Sequence, residues 1–246
     1  MTTISSPHNE RLKEVRRLQR RRARERTGRF VAEGEDLLAA ADAHGWAALQ
    51  RYSATGSGLA GTEVEQGALA AVSTLGSGTR ALAVYEQRWG APTGPLCVYL
   101  HGISDPGNVG AVLRSALAFG ASCVALGPAC ADPYGPKAVR ASMGAVFAVP
   151  LARAEPAVLP GRRVALVAGE GQPLTGPANG EVTLLVGAER DGLPADVVSG
   201  CEEVAHIPIR SESLNAAMAA TVALYELTRG VGSEEGFLPG RRMAAP

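Results

Sequence analysis

The chain has 246 residues, 46% of them hydrophobic, and its 24 basic and 24 acidic residues leave a formal net charge of zero. This length exceeds that of a typical single domain, so we expect one or two domains with a substantial hydrophobic core. The sequence contains no run of about 18 apolar residues, which argues against a membrane span. The first residues lack the basic start and apolar core of a signal peptide. We therefore expect a cytoplasmic protein.

Several common ligand fingerprints are absent from the sequence. Gly169-Glu170-Gly171 lacks a third glycine at the dinucleotide-binding offset, and no G-x-x-x-x-G-K phosphate loop occurs. The four cysteines, at positions 97, 123, 130 and 201, form no Cys-x-x-Cys pair and lie mostly in or beside apolar runs. Buried, reduced thiols are therefore favoured over disulfides or a metal site, and we expect no metal.

The zero net charge hides a strongly basic segment near the start of the chain. Between Arg11 and Arg29 there are ten basic and two acidic residues, a local charge of +8, which leaves −8 for the rest. The pattern predicts one helix over residues 10–26 with Leu12, Val15 and Leu18 or Gln19 as its apolar stripe. Arginines this dense repel one another unless an anion compensates, so phosphate contact is favoured over a solvated charged helix. The candidate contacts are Lys13, Arg16, Arg17, Arg20, Arg21 and Arg24.

Composition divides the chain into two domains. A strand over residues 29–34 and a helix over 35–44 begin an N-terminal α/β pattern. Residues 86–95 hold two prolines and two glycines with little periodicity, which is typical of a linker. We therefore predict an N-terminal domain at 1–85, a linker at 86–95, a second domain at 96–230 and a flexible tail at 231–246.

The second domain alternates apolar strands with helices, which predicts a parallel sheet covered on both faces. The predicted helices span residues 109–119, 136–142 and 214–229. The predicted strands span residues 96–100, 123–126, 146–149, 164–167, 182–186 and 204–207.

Three of these strands lead into polar or glycine-containing loops. Residues 102–108 follow the first strand and precede a helix that carries Arg114, residues 187–194 follow the fifth, and residues 208–213 follow the sixth. Because ligands of open α/β sheets gather at the carboxyl ends of strands, these loops are expected to share a site. Ser213 or Glu212 is expected to cap the last helix. Each feature also has a purely structural alternative. Arg114 would be a surface arginine, residues 187–194 a tight strand-to-helix turn, and Ser213 and Asn215 plain helix caps.

Three separated stretches of these loops form a recognisable set. They are Asn108-Val109-Gly110 with Arg114, Leu185-Val186-Gly187-Ala188-Glu189 with Gly192-Leu193-Pro194, and Ile207-Pro208 with Ser213-Leu214-Asn215. In this order they resemble motifs 1, 2 and 3 of the SpoU/TrmH RNA ribose methyltransferases of the SPOUT class. The resemblance implies an α/β fold with a C-terminal trefoil knot around S-adenosylmethionine. Residues 6–34 resemble the small N-terminal RNA-binding domain of ribosomal protein L30e type that many such enzymes carry.

The same resemblance implies roles for individual residues. Cofactor binding falls to Val186, Gly187, Ile207, Ile209 and Leu214, and catalysis to Asn108, Arg114, Glu189, Ser213 and Asn215. A homodimer is also implied, for which Met218, Val222 and Tyr225 offer an apolar helix face. Two departures are the loop before Ser213, two residues shorter than the family pattern and without glycine, and Ala-Ala-Met after Asn215 where Val-Ser-Val is common.

The predicted activity is methylation of a ribose 2′-OH in RNA by S-adenosylmethionine. Ribosomal RNA, of the large subunit, is the favoured substrate because the N-terminal half resembles domains of the ribosomal enzymes. The alternatives are a transfer RNA substrate, methylation of a base and a non-catalytic RNA-binding protein.

Overall fold

The computed structural model describes residues 3–75 and 78–230, so the predicted tail at 231–246 lies outside the described residues. The helices are α1 (Glu10–Leu18), α2 (Arg21–Thr27), α3 (Glu35–Ala43), α4 (Gln66–Ala70), α5 (Pro106–Ala118), α6 (Pro136–Ala141), α7 (Ala145–Ala148), α8 (Ala195–Ser199) and α9 (Ala216–Thr228). The strands are β1 (Arg29–Glu33), β2 (Gln50–Ala54), β3 (Thr62–Val64), β4 (Ala81–Glu86), β5 (Leu96–Leu100), β6 (Cys123–Leu126), β7 (Leu151–Arg153), β8 (Arg162–Leu166), β9 (Gln172–Pro173), β10 (Val182–Val186) and β11 (Glu203–His206).

The N-terminal sheet has four strands in the order β1-β4-β2-β3 and is buried on both faces. Successive side chains of a strand point to opposite faces. Accordingly, Leu82 and Val84 of β4 pack into one core with α1, and Ala83 and Tyr85 pack into the core shared with the second domain. The α1 residues in the first core are Leu12, Val15 and Leu18, which confirms the predicted apolar stripe.

The prediction of one continuous helix over residues 10–26 was wrong, because the chain breaks between α1 and α2. Arg20 adopts an extended conformation with φ −94° and ψ 131°. The break leaves the carbonyl groups of Leu18 and Gln19 without helical partners, and Arg24 Nη1 donates to both at 2.9 Å. A side chain that lies one turn into α2 thus satisfies the end of α1.

The C-terminal sheet has seven parallel strands in the order β7-β6-β5-β10-β8-β11-β9. One face packs on α5 and α9 through residues such as Val98, Leu113 and Leu224. The other packs on α8 through Tyr99 and Val197. The predicted parallel sheet covered on both faces is confirmed, whereas the trefoil knot and the L30e-like type of the N-terminal domain stay predictions.

The predicted strand at residues 146–149 was wrong. These residues lie in α7 and its C-cap, and the sheet strand is β7, which begins after Pro150. A short apolar run has the same appearance in a buried helix and in a buried strand, so its periodicity could not separate them. Gly144, at φ +92°, turns the chain into α7, where Val146 and Phe147 are buried.

The predicted linker at residues 86–95 is packed between the domains. Tyr134 Oη donates to the carbonyl of Arg88 at 2.5 Å and accepts from its N–H at 3.0 Å. The N–H of Gly90 donates to the carbonyl of Leu151 at 2.8 Å, and that of Thr93 donates to Cys123 Sγ at 3.2 Å. This segment is therefore tied to the second domain along its length, and the domain boundary itself stays a prediction.

Aromatic rings from both domains form a common core at their junction. Phe30, Trp46 and Tyr85 of the first domain pack on Tyr134 and Phe147 of the second. Ring centroids lie 4.6 Å apart for Phe30 and Tyr134 and 5.2 Å apart for Trp46 and Phe147. The indole N–H of Trp46 also donates to the carbonyl of Phe147 at 2.8 Å. Such packing favours one fixed arrangement of the two domains.

A buried ion pair also joins the domains. Arg24 is only 4% exposed, and its Nε lies 2.7 Å from Asp132 Oδ2. Breaking a buried pair by removing one partner typically costs about 3–5 kcal/mol, because an uncompensated charge is left behind. Arg24 was predicted to contact RNA, and this prediction was wrong, because the guanidinium is enclosed and hydrogen-bonded inside the protein.

Among the helices of the described ranges, none has the length and apolar character needed to cross a bilayer. Three of the four cysteines, Cys97, Cys123 and Cys130, are buried as predicted, and Cys201 is partly exposed.

Candidate functional site

A cavity of about 440 Å³ lies at the carboxyl ends of β8, β10 and β11. These strands are neighbours in the sheet, so the loops that follow them meet at one edge. The volume is within the range of pockets that hold small organic ligands. The cavity is lined by Leu166, Val167, Ala168, Val186, Gly187, Ala188, Glu189, Arg190, Asp191, Gly192, Leu193, Ile207, Ile209, Glu212, Ser213, Leu214, Ala216 and Ala219.

The structure brings all five predicted cofactor-binding residues together in the wall of this cavity. It also places Glu189 and Ser213 there. The end of β8, Leu166 and Val167, completes the wall and was missed, because the sequence could not place that strand between β10 and β11. The predicted cofactor-binding residues in the wall are Val186, Gly187, Ile207, Ile209 and Leu214.

The side chain of Asn108 connects the three motif loops. Its Nδ2 donates to Glu189 Oε1, and its Oδ1 accepts from Asn215 Nδ2 at 3.1 Å. An amide offers both donors and an acceptor, so a single asparagine can hold a carboxylate and a second amide at the same time. Asn108, Glu189 and Asn215 therefore form one hydrogen-bonded group.

Asn215 is also the N-cap of α9. Its Oδ1 accepts from the N–H groups of Ala217 at 3.0 Å and Met218 at 3.3 Å, and its backbone has φ −56° and ψ 140°. The prediction of Ser213 or Glu212 as the cap was wrong, because the helix begins only at Ala216 and Asn215 satisfies its first free N–H groups. Ser213 lines the cavity instead.

The first motif loop is fixed by a residue that sequence reasoning missed. Asp105 caps α5, since its Oδ1 accepts from the N–H groups of Gly107 at 2.6 Å and Asn108 at 3.1 Å. Its other oxygen lies 2.7 Å from Lys137 Nζ, and this ammonium, with the two N–H donors, lowers the pKa of Asp105. The helix thus begins at Pro106, three residues before the predicted start, and Asp-Pro is the sequence signal that indicates this.

Arg114 is exposed on α5 and is not part of the cavity wall. Throughout the described ranges no carboxylate pairs with its guanidinium. The structure therefore unites four of the five predicted catalytic residues at or beside the cavity and leaves Arg114 free on the surface.

The predicted basic surface is present on α1 and α2, apart from Arg24. Arg17 and Arg20 are exposed and have no ion-pair partner in the part of the chain that the structure describes. Lys13 lies 2.6 Å from Glu10, Arg21 Nε lies 2.8 Å from Glu25, and Arg16 donates to the carbonyl of Ala71 at 3.4 Å.

Two family models match the chain. Residues 95–225 match the SpoU rRNA Methylase family, and residues 9–83 match the MRM3-like substrate binding domain. The first match covers more than half of the chain, so the chain belongs to the SpoU rRNA methylase family.

Solved structures resemble this chain over nearly its whole length. An AdoMet-bound rRNA methyltransferase from Sinorhizobium meliloti has a TM-score of 0.83 and 28% identity, and the match covers 94% of this chain and 99% of that one. A structure described as an RNA 2′-O ribose methyltransferase has a TM-score of 0.76 and 27% identity, with 93% and 98% covered.

A curated relative from Mycobacterium tuberculosis, an uncharacterised tRNA/rRNA methyltransferase, is 35% identical over 145 residues. The match covers 53% of this chain and 50% of the relative. The chain thus spans about half the length of the first curated relatives that it matches.

Replacement of Gly187 by alanine is expected to destabilise the motif 2 loop. A Cβ at this position would lie 2.2 Å from the carbonyl carbon of Gly192 and 2.4 Å from the N of Leu193, so the backbone must shift. We expect Gly187→Ala to lower the free energy of unfolding by about 1–3 kcal/mol, measured by urea titration. Gly67→Ala is the matched control, because a Cβ at that position would meet nothing within 4 Å. The control should change stability by less than about 1 kcal/mol, and equal losses would contradict the steric explanation.

Proposed function

We propose that this protein transfers the methyl group of S-adenosylmethionine to a ribose 2′-OH of RNA. The observation that carries the proposal is the cavity of about 440 Å³, which the second and third motif loops line and beside which Asn108 of the first motif bonds to Glu189 and Asn215. Family membership and the AdoMet-bound structural neighbour support the reaction class. The neighbour described as a 2′-O ribose methyltransferase supports the ribose over a base as the methyl acceptor.

The cavity fits the proposed cofactor chemically. Val186, Ile207 and Leu214 give it apolar walls for an adenine ring, and the loop backbones around Gly187 and Ile209 offer hydrogen-bonding groups. When bound, S-adenosylmethionine supplies a methyl group that its sulfonium charge already activates. The protein must then position the acceptor and exclude competing water.

The hydrogen-bonded state of the motif residues suggests a division of roles. Asn108, Glu189 and Asn215 are engaged with one another and with the first turn of α9, so we assign them to holding the loops in place. Ser213 lines the cavity and is the side chain we assign to contacting the ribose. This revises the expectation that Asn108, Glu189 and Asn215 take part in catalysis directly.

Arg114 is the residue we assign to stabilising charge in the reaction. Guanidinium keeps its proton in nearly every protein environment, so it is better suited to hold a neighbouring phosphate and the developing oxyanion than to act as a base. A solvent water or a phosphate oxygen then accepts the proton of the 2′-OH. Its exposure and lack of a carboxylate partner in the described ranges leave it available for this role.

We also propose that the protein is a homodimer. Four large apolar side chains on α5 and α9 are exposed by 42–62%, an unusual cluster for a monomer surface. Arg114 lies about one helical turn before Leu117 on α5, so it adjoins this apolar surface. The four residues are Leu117, Met218, Val222 and Tyr225.

Ribosomal RNA is the substrate we favour. The matched family is described as rRNA methylases, and the Sinorhizobium neighbour is an rRNA methyltransferase. The mycobacterial relative is described as a tRNA/rRNA methyltransferase, which keeps transfer RNA as the second candidate.

Transfer of tritiated methyl groups tests the proposed reaction. Purified protein is incubated with labelled S-adenosylmethionine and either ribosomal or transfer RNA, and the product is hydrolysed with alkali. We expect label in alkali-resistant dinucleotides, because a 2′-O-methyl group blocks cleavage of the adjacent linkage. Label in ordinary mononucleotides would indicate base methylation, and binding of both ligands without transfer would indicate a non-catalytic protein.

Arg114→Ala is expected to reduce methyl transfer about 100-fold or more, as removal of one oxyanion-stabilising donor does in other enzymes. Cofactor affinity, measured by calorimetry, should change little, because Arg114 lies outside the cavity wall. Arg163→Ala is the matched control, since this partly exposed arginine lies at the opposite end of β8 from the cavity and pairs with Glu202. A parallel loss of transfer and cofactor affinity in Arg114→Ala would indicate a structural role instead.

Sedimentation equilibrium tests the dimer. We expect twice the chain mass at micromolar concentration, and Met218→Glu combined with Val222→Glu should shift the protein to monomers. A monomeric wild-type protein would refute the proposal.

A further inference from the structure

A groove of about 390 Å³ lies at the junction of the two domains, away from the cavity of the motif loops. It is lined by both tryptophans of the chain, Trp46 and Trp89. Each indole is held in place, since Trp46 Nε1 donates to the carbonyl of Phe147 at 2.8 Å and Trp89 Nε1 donates to Gln87 Oε1 at 3.1 Å. The groove is therefore formed by rings in defined positions.

A guanidinium lies over each indole. Arg88 Cζ is 4.1 Å from the ring centroid of Trp46, and Arg153 Cζ is 4.2 Å from that of Trp89. Both arginines are exposed, and neither forms an ion pair with a carboxylate in residues 3–75 or 78–230. Their inner sides rest on an aromatic ring, so each planar group is partly ordered before any ligand arrives.

The charge around the groove favours a polyanion. Its lining contains Arg88 and His44 but no aspartate or glutamate, although the chain has 24 acidic residues. Arg153, over Trp89, also lies near Glu25 of α2. The pKa of Glu25 is lowered mainly by its hydrogen bond from Arg21, and the charge of Arg153 contributes to the same shift.

We propose that this groove binds unpaired nucleotides of the RNA substrate, with bases stacked on the two guanidinium–indole pairs and phosphates near Arg88 and Arg153. Bases stack on aromatic rings and on guanidinium planes with little regard to sequence, and single-stranded RNA exposes both bases and phosphates. The inference rests on the proposed function and adds a contact for RNA outside the methylation site and outside α1 and α2.

Intrinsic fluorescence tests the inference directly, because the only two tryptophans of the chain lie in the groove. The full-length protein, without a methyl donor, is titrated with a short single-stranded oligouridylate and, separately, with inorganic polyphosphate of matched charge. We expect saturable quenching by the oligouridylate and a much smaller change with polyphosphate. In the Trp89→Phe variant, the remaining tryptophan fluorescence comes from Trp46.

Arg153→Gln is the principal variant, because its side chain makes no hydrogen bond to the residues that the structure describes. We expect its affinity for oligouridylate to fall about tenfold, within the range that loss of one stacked base produces. Arg88→Gln should show a similar loss, and Arg163→Gln, which removes an arginine remote from the groove, should show little. Near-ultraviolet circular dichroism confirms that each variant keeps the native packing around the tryptophans.

Three results would overturn the inference: oligouridylate that binds without changing the emission, polyphosphate that quenches as strongly as the oligouridylate, or Arg153→Gln that binds as tightly as Arg163→Gln. Because the titration needs no methyl donor, its outcome is separate from that of the methyl-transfer assay. Quenching without methyl transfer would reject the proposed reaction and retain the groove, and methyl transfer without quenching would reject the groove alone.

Discussion

The amide of Asn108 makes the interaction on which the site depends most. It bonds at once to Glu189 in the loop after β10 and to Asn215 at the start of α9. These residues are separated from it by 81 and 107 positions in the sequence. Because Asn215 also caps α9, the position of that helix and of both loops is coupled through one side chain. A cavity formed by loops would otherwise be free to change shape, and this network restricts it.

A second constraint joins the N-terminal domain to the same edge of the sheet. Arg24 pairs with Asp132, and Arg21 donates to the carbonyl of Cys130 at 3.4 Å. That segment in turn bonds to the first motif loop, since the N–H of Ala131 donates to the carbonyl of Ile103 at 2.8 Å. The basic helices are thus connected to the motif loops through a short chain of direct contacts. Together with the shared aromatic core, this arrangement holds the two domains in one relative position.

Prediction from the sequence was most accurate where an apolar run had turn-forming residues on both sides. The apolar runs at β5, β6 and β10 were predicted with their observed ends, because each is flanked by turn-forming residues. The five predicted cofactor-binding residues were found through motif resemblance, whereas Leu166 and Val167 were missed, because their place in the wall depends on strand order and not on a local pattern. The sequence could not indicate that β10 lies between β5 and β8, which depends on long-range pairing.

The errors have a common origin in tertiary contacts. Arg24 is identical in type to its exposed neighbours, and only the presence of Asp132 in a distant loop explains its burial. The break between α1 and α2 depends on the same side chain, which bonds to the carbonyls that the break exposes. The apolar run at residues 146–149 suits either a buried helix or a buried strand, and packing in the surrounding aromatic core favours the helix.

The strand order has a consequence for synthesis on the ribosome. β10 is inserted between β5 and β8, which both precede it in the chain, and α9 then completes the cavity with Ala216 and Ala219. Pairings between residues so distant in sequence form late, because closing long loops costs entropy before any contact is made. A nascent chain that has not yet released α9 therefore has no finished cavity, so maturation of the ligand site coincides with completion of the fold.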